Sequence, residues 1–197
     1  MYANDAKGIL ATKFSIQVDL GNSGTHVRAG RYRRCRLRAG SGAIWDLSSG
    51  APRSDGWTSA DAAGIAIFPG LVRYDEASGP GEITHAFRCN VWAVNGHVWP
   101  ASHTAWGASG APPLGTRLRL KPTVDLSGYP DQIQRIFRAM KTYGLIVTDM
   151  GGSDFAVTGT MDARWDSGII NPAFASLSAD DFEVVQLGWG RPEPVVP

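Results

Sequence analysis

The chain has 197 residues, of which 43% are hydrophobic, 19% charged and 10% aromatic, a folded-protein composition that excludes the low-hydropathy, high-charge class of disordered chains. Nineteen Lys and Arg face eighteen Asp and Glu, so no global field recruits nucleic acid or an anionic membrane, and any binding has to be local. No apolar run reaches the roughly 18 residues needed to span a bilayer, and residues 1–10 lack the basic-then-apolar pattern of a signal peptide.

The 24 glycines and 12 prolines are spread along the chain, which implies many short strands and turns. Cys35 and Cys89 are too few for a disulfide scaffold and form no CxxC pair. One disulfide between them is compatible with the sequence but not required by it.

In chain order, the basic stretch between Thr25 and Arg38 reads either as a solvated strand or terminus or as an anionic-ligand patch. AGSGAIWDL predicts a short strand, APRSDG a turn, and GWTSADAAG a loop with one helical turn from Ser59. Residues 65–73, interrupted by Pro69-Gly70, predict two short strands or one bulged strand.

Alternation is clearest over residues 83–94. It places Ile83, His85, Phe87, Cys89, Val91 and Ala93 on one face and Thr84, Arg88, Asn90 and Trp92 on the other. Residues 117–124 predict a second strand with Arg117, Arg119 and Lys121 on its exposed face and Pro122 marking an edge or bulge. Ile133, Ile136, Phe137 and Met140 form one apolar stripe, so a helix is expected over about 130–143, with Pro130 as its first residue and Gly144 as its stop. Residues 145–149 and 154–159 flank Gly-Gly-Ser and predict a hairpin. Asn171-Pro172 opens a helical turn, residues 182–187 form a last strand, and the tail is too proline-rich to continue a sheet.

Strands with a single main helix and no regular β–α alternation predict a mainly β domain, sandwich- or barrel-like, with one packed amphipathic helix. The expected organisation is an N-terminal segment over 1–39, a β-rich domain over 40–187 and a tail over 188–197.

Three constellations could carry chemistry. Asp75, Glu76 and Glu82 surround the SGPGE turn, and glycosidic cleavage uses a carboxylate pair, one protonated acid and one base or nucleophile. Asp75 and Glu76 are adjacent, so on an extended chain only one of them can join Glu82; solvated loop acids are the plainer reading. His85, inward on its strand, would tune such a pair or simply be a satisfied core histidine.

His85, His97 and His103 could supply three imidazoles to a metal, although no pair has helical spacing. Of seven tryptophans, Trp92, Trp99 and Trp106 crowd one short stretch and Trp57 sits in a glycine-flanked loop. Such rings either pack the core or stack on the apolar faces of sugars. GxSxG, P-loop, GxGxxG and HExxH motifs are all absent from the sequence, which removes serine-hydrolase, nucleotide and zincin readings.

AGSGAIWDL, GWTSADAAGIAIFPGLVRYDEA, GEITHAFR, VWPASH, LGTRLRLKPTVDLSG, IFRAMKTYGLIVTD, TGTMDARW and DFEVV together resemble, over residues 40–185, a large family of usually secreted bacterial and fungal proteins. In that family a further segment ordinarily precedes this region. Residues 1–40 do not resemble it, so a shortened or frame-shifted version of a longer parent is expected. The resemblance implies an extracellular setting and an association with polysaccharide breakdown, and it brings no catalytic residues with it.

The leading expectation is a carbohydrate-active protein, a glycoside hydrolase of the cellulase or xylanase kind acting on a β-linked polysaccharide or oligosaccharide. Glu76 and Glu82 would be its acid and base, with Asp75 beside them, His85 as the tuning neighbour and no cofactor. The alternative is a non-catalytic carbohydrate-binding module using Trp57, Trp92, Trp99 and Trp106. A metal site on the three histidines is the third reading. Neither nucleic acid nor a membrane is an expected partner, and the sequence leaves the oligomeric state open.

Overall fold

The computed structural model describes residues 15–16, 54–57, 59, 61–151 and 155–185. The expected strand over AGSGAIWDL, the basic stretch before Arg38, Cys35 and the tail lie outside these residues.

The helix expected from the apolar stripe runs over Asp131–Thr142 (α2) and buries Ile133, Ile136, Phe137 and Met140. Asp131 in its first turn and Lys141 in its last suit the helix dipole, and the Lys141 ammonium donates to the carbonyls of Pro122 and Val124. Pro130 is the cap residue, one position before the helix begins. Gly144 follows with φ +79°, where a Cβ would collide with the Leu118 carbonyl oxygen. Both the backbone angle and the close approach therefore require glycine.

The remaining elements are β1 (Ser15–Ile16), α1 (Tyr74–Ser78), β2 (Phe87–Val91), β3 (Arg117–Leu120), β4 (Leu145–Met150), β5 (Ala156–Gly159), α3 (Ser167–Ala175) and β6 (Phe182–Val184). The strands lie in the order β1-β5-β2-β4-β3-β6. β2 and β4 are parallel, with a register shift between Cys89 and Asn90. β5 runs antiparallel to β2, β3 to β4, and β6 to β3, while β1 joins β5 in parallel. The described residues thus form one mixed sheet with helices. α2 packs on it, and Phe137 of α2 meets Phe174 of α3 edge-on at 5.3 Å. A second sheet, as a sandwich needs, is not among the described residues.

Several local expectations are corrected. The clearest strand is shorter than its alternation, 87–91 and not 83–94. Phe87, Arg88 and Cys89 are all buried, so β2 is covered on both faces and a single inward face does not describe it. A 3-10 turn over Phe68–Gly70 and a one-residue bridge at Val72 replace the strands expected over 65–73. Pro69 opens that turn, as its fixed φ favours. Gly70 lets the turn close on β2, since a Cβ there would lie 3.0 Å from that of Arg88.

β4 and β5 are not a hairpin, because β2 stands between them. Two strand spacings of about 4.8 Å are within reach of the connection 151–155. β3 is interior, between β4 and β6, and Pro122 falls just beyond it. The helix near Asn171-Pro172 starts earlier, at Ser167, where the Asp166 carboxylate accepts from the Gly168 N–H at 2.8 Å. Pro172 lies inside it.

Candidate functional site

The three acids singled out around the SGPGE turn go to three different cations. Asp75 and Glu76 lie on α1, a helical turn and not an extended segment. Asp75 is exposed and pairs with Arg164 at 2.8 Å. Glu76 accepts from Arg73 and meets His85 Nε2 at 3.1 Å. Glu82 takes both Nε and Nη2 of Arg138, at 3.0 and 2.8 Å.

Burial pulls the Glu76 carboxyl upward, but the hydrogen bonds from Arg73 and His85 outweigh it and hold the group below the ordinary glutamate value. The Arg138 fork does the same for Glu82. A glycosidic acid has to hold its proton near neutrality, and these contacts act against that on both glutamates.

His85 is half-buried. Its Nδ1 lies 2.9 Å from the Ala86 carbonyl, and its ring meets Phe87 edge-on at 5.2 Å. It precedes β2 and is not one of that strand's inward residues. His103 Nδ1 lies 3.0 Å from the Ala62 carbonyl, and His97 is exposed beside its bridge to Leu114. The three imidazoles have separate surroundings. Among the described residues no group of three His, Cys, Asp or Glu side chains is placed to hold a metal ion. Cys89 is a free thiol that burial pushes up to about 12, which makes it a poor nucleophile.

The tryptophans divide. Trp57, Trp92 and Trp106 are 56%, 57% and 77% exposed, while Trp99 is half-buried. Trp57 sits in a loop that is firmly tied down: the Ser102 hydroxyl donates to the Trp57 carbonyl at 2.8 Å, and the Gly56 N–H donates to the Ser102 carbonyl at 2.6 Å. Gly64, at φ +73°, lets the same loop fold back, since a Cβ there would collide with the Ser102 hydroxyl.

A cluster that the sequence reading did not single out lies where this loop meets the sheet. Arg88 of β2 and Asp61 of the loop are buried. Arg88 Nη2 stands 3.6 Å from Asp61 Oδ2 and 3.8 Å from Asp149 Oδ2, near the end of β4. Arg88 Nη1 donates to Thr158 Oγ1 of β5 at 2.9 Å. The other Asp61 oxygen accepts from the Ile65 N–H and the Ser59 hydroxyl.

Burial is the largest influence on Asp61 and drives its pKa up to about 6, against the pull of Arg88, the Ile65 N–H and Ser59; the charge of Asp149 adds to the rise. Burial also raises Asp149, against the Met150 N–H, Arg88 and the Ala62 N–H. Burial thus holds both carboxyls above their ordinary range beside a buried guanidinium. The only sequence signal for them was a lone charge inside each of three apolar stretches: Asp61 in SADAAG, Arg88 between Phe87 and Cys89, and Asp149 closing LIVTD.

No helix among the described residues is long and apolar enough to cross a membrane. Comparison of the chain with family models, curated proteins and solved structures gives no match.

Proposed function

We propose that the protein is a carbohydrate-active protein that grips an extracellular polysaccharide through exposed tryptophans. The observation that supports this reading is the exposure of Trp57, Trp92 and Trp106. A large indole left in solvent forgoes the burial that normally stabilises it, and three such rings on one chain offer the flat apolar faces that binding surfaces use. Sugars present flat C–H faces and hydroxyl rims, which an indole face and its N–H match. With charges nearly balanced, ring stacking is the attraction this surface can offer a neutral polymer. The family resemblance read from the sequence supports the extracellular setting.

The test is co-sedimentation with microcrystalline cellulose, xylan and mannan. The wild type is expected in the pellet with at least one of them. Trp57→Ala, Trp92→Ala and Trp106→Ala should each weaken retention by about fivefold, as the loss of about 1 kcal/mol per ring implies. A wild type that stays in the supernatant with every polymer would refute the reading.

A further inference from the structure

We infer that Trp57, Trp92 and Trp106 form one platform for a single neutral glycan chain, with Ser102 as the positioning residue that ties Trp57 into it. The inference rests on the glycan-binding reading above and adds to it the extent of the site, the charge class of the ligand and a residue that touches no sugar.

Exposed rings scattered singly over a surface need no explanation, but these three sit on segments stitched to one another. Ser102 is buried, and it fastens the Trp57 loop at three points. Its hydroxyl donates to the Trp57 carbonyl at 2.8 Å, its carbonyl accepts from the Gly56 N–H, and its N–H donates to the Ala63 carbonyl. Trp106 follows four residues later. There the chain lies against the stretch that leaves β2: the Ala108 N–H donates to the Val94 carbonyl at 2.9 Å, and a Cβ on Gly107 would stand 3.0 Å from that same oxygen. Trp92 comes two residues before Val94. At no more than about 3.6 Å per residue along these links, the α-carbons of Trp57 and Trp92 each lie within about 22 Å of that of Trp106. One run of linked sugars covers such a reach, with Trp106 as the middle ring.

The surroundings select the ligand. Among the described residues of segments 54–64 and 92–110, the three indoles are the only large apolar side chains that are exposed. Their exposed neighbours are glycines and small polar residues such as Asn95, Thr104 and Ser109. Flat rings set among hydroxyls and amides match the C–H faces and hydroxyl rims of a sugar chain. A protein partner would instead call for a contiguous apolar core. Neither segment contains a Lys or Arg, and Asp55 is exposed beside Trp57. Uronate and sulfated glycans, which are held through cations, therefore find no partner on these segments, and a neutral chain does.

The test is calorimetric titration of the full chain with cello-, xylo- and manno-oligosaccharides of increasing length, beside polygalacturonate at low and high salt. One oligosaccharide should bind per chain, and affinity should rise at least about tenfold from the shortest to the longest as further rings engage. Trp106→Ala should flatten that rise. Ser102→Ala should weaken the longest ligand about fivefold, and adding Trp57→Ala to it should cost nothing more; a merely structural serine would leave the Trp57→Ala loss in place. Two oligosaccharides per chain, affinity independent of length, or an undiminished Trp57→Ala effect in the Ser102→Ala background would each overturn the platform and leave the binding reading standing. So would salt-sensitive binding of polygalacturonate, or sedimentation with cellulose without affinity for any oligosaccharide. If no glycan is bound, or if the face proves to join two copies in a dimer that Trp106→Ala dissociates, both fall.

Discussion

Replacing Asp61 by asparagine should remove a pH dependence of stability whose sign is opposite to that of an ordinary salt-bridged carboxylate. Asp61 goes from 3.8 to about 6 on folding, a rise of about two units, or about 3 kcal/mol against the ionised form. An acid with a raised folded pKa contributes stability that is fully present below its unfolded pKa and is lost as pH rises through its folded pKa. The window here therefore runs from 3.8 to about 6. Glu76 and Glu82, held below their ordinary value, act in the opposite direction, with stability that is lost as pH falls. The informative quantity is therefore the difference between wild type and Asp61→Asn, in which those contributions cancel. Urea unfolding at intervals from pH 4 to 7.5 measures it. The substituted amide keeps an oxygen for the contacts with the Ile65 N–H and Ser59, so the variant should gain on the wild type by up to about 3 kcal/mol across the window. Parallel curves for the two proteins would show that burial does not control this carboxyl.

Two further outcomes follow from the same geometry. Gly144→Ala drives a Cβ into the Leu118 carbonyl at φ +79°; a cost of about 1–3 kcal/mol should lower the thermal midpoint by about 2–4 °C per kcal/mol, and a midpoint within about a degree of wild type would contradict it. Glu82→Gln breaks an exposed pair with Arg138, which should change stability by less than about 1 kcal/mol in urea unfolding; a loss of several kcal/mol would contradict it.

The parts of the fold that could be read from the sequence are those decided locally. The α2 stripe needs only the spacing of Ile133, Ile136, Phe137 and Met140, and Gly144 only the backbone angle of a helix stop. Strand pairing is decided at a distance. Leu145–Met150 and Ala156–Gly159 look like hairpin partners because few residues separate them, yet β2 takes the slot between them. A strand buried on both faces gains more from the centre of a sheet than a short turn gains from direct pairing.

The same distance effect hid the cluster and drew attention to acids that are neighbours in sequence. Asp75, Glu76 and Glu82 are close in sequence and look like a pair, but each meets an arginine within reach, and an arginine partner lowers a glutamate's proton affinity. Asp61, Arg88 and Asp149 come from a loop and two parallel strands, and their meeting depends on a register that shifts between Cys89 and Asn90. A slip of one residue would turn Arg88 to the other face of the sheet, away from Asp61. A buried charge is costly wherever it stands alone, so a lone Arg within the apolar strand Phe87–Val91 already implies that opposite charge converges on it from elsewhere in the chain. What the sequence leaves open is which acids answer, and only the closure of the loop through Gly64 and Ser102 brings Asp61 to that position.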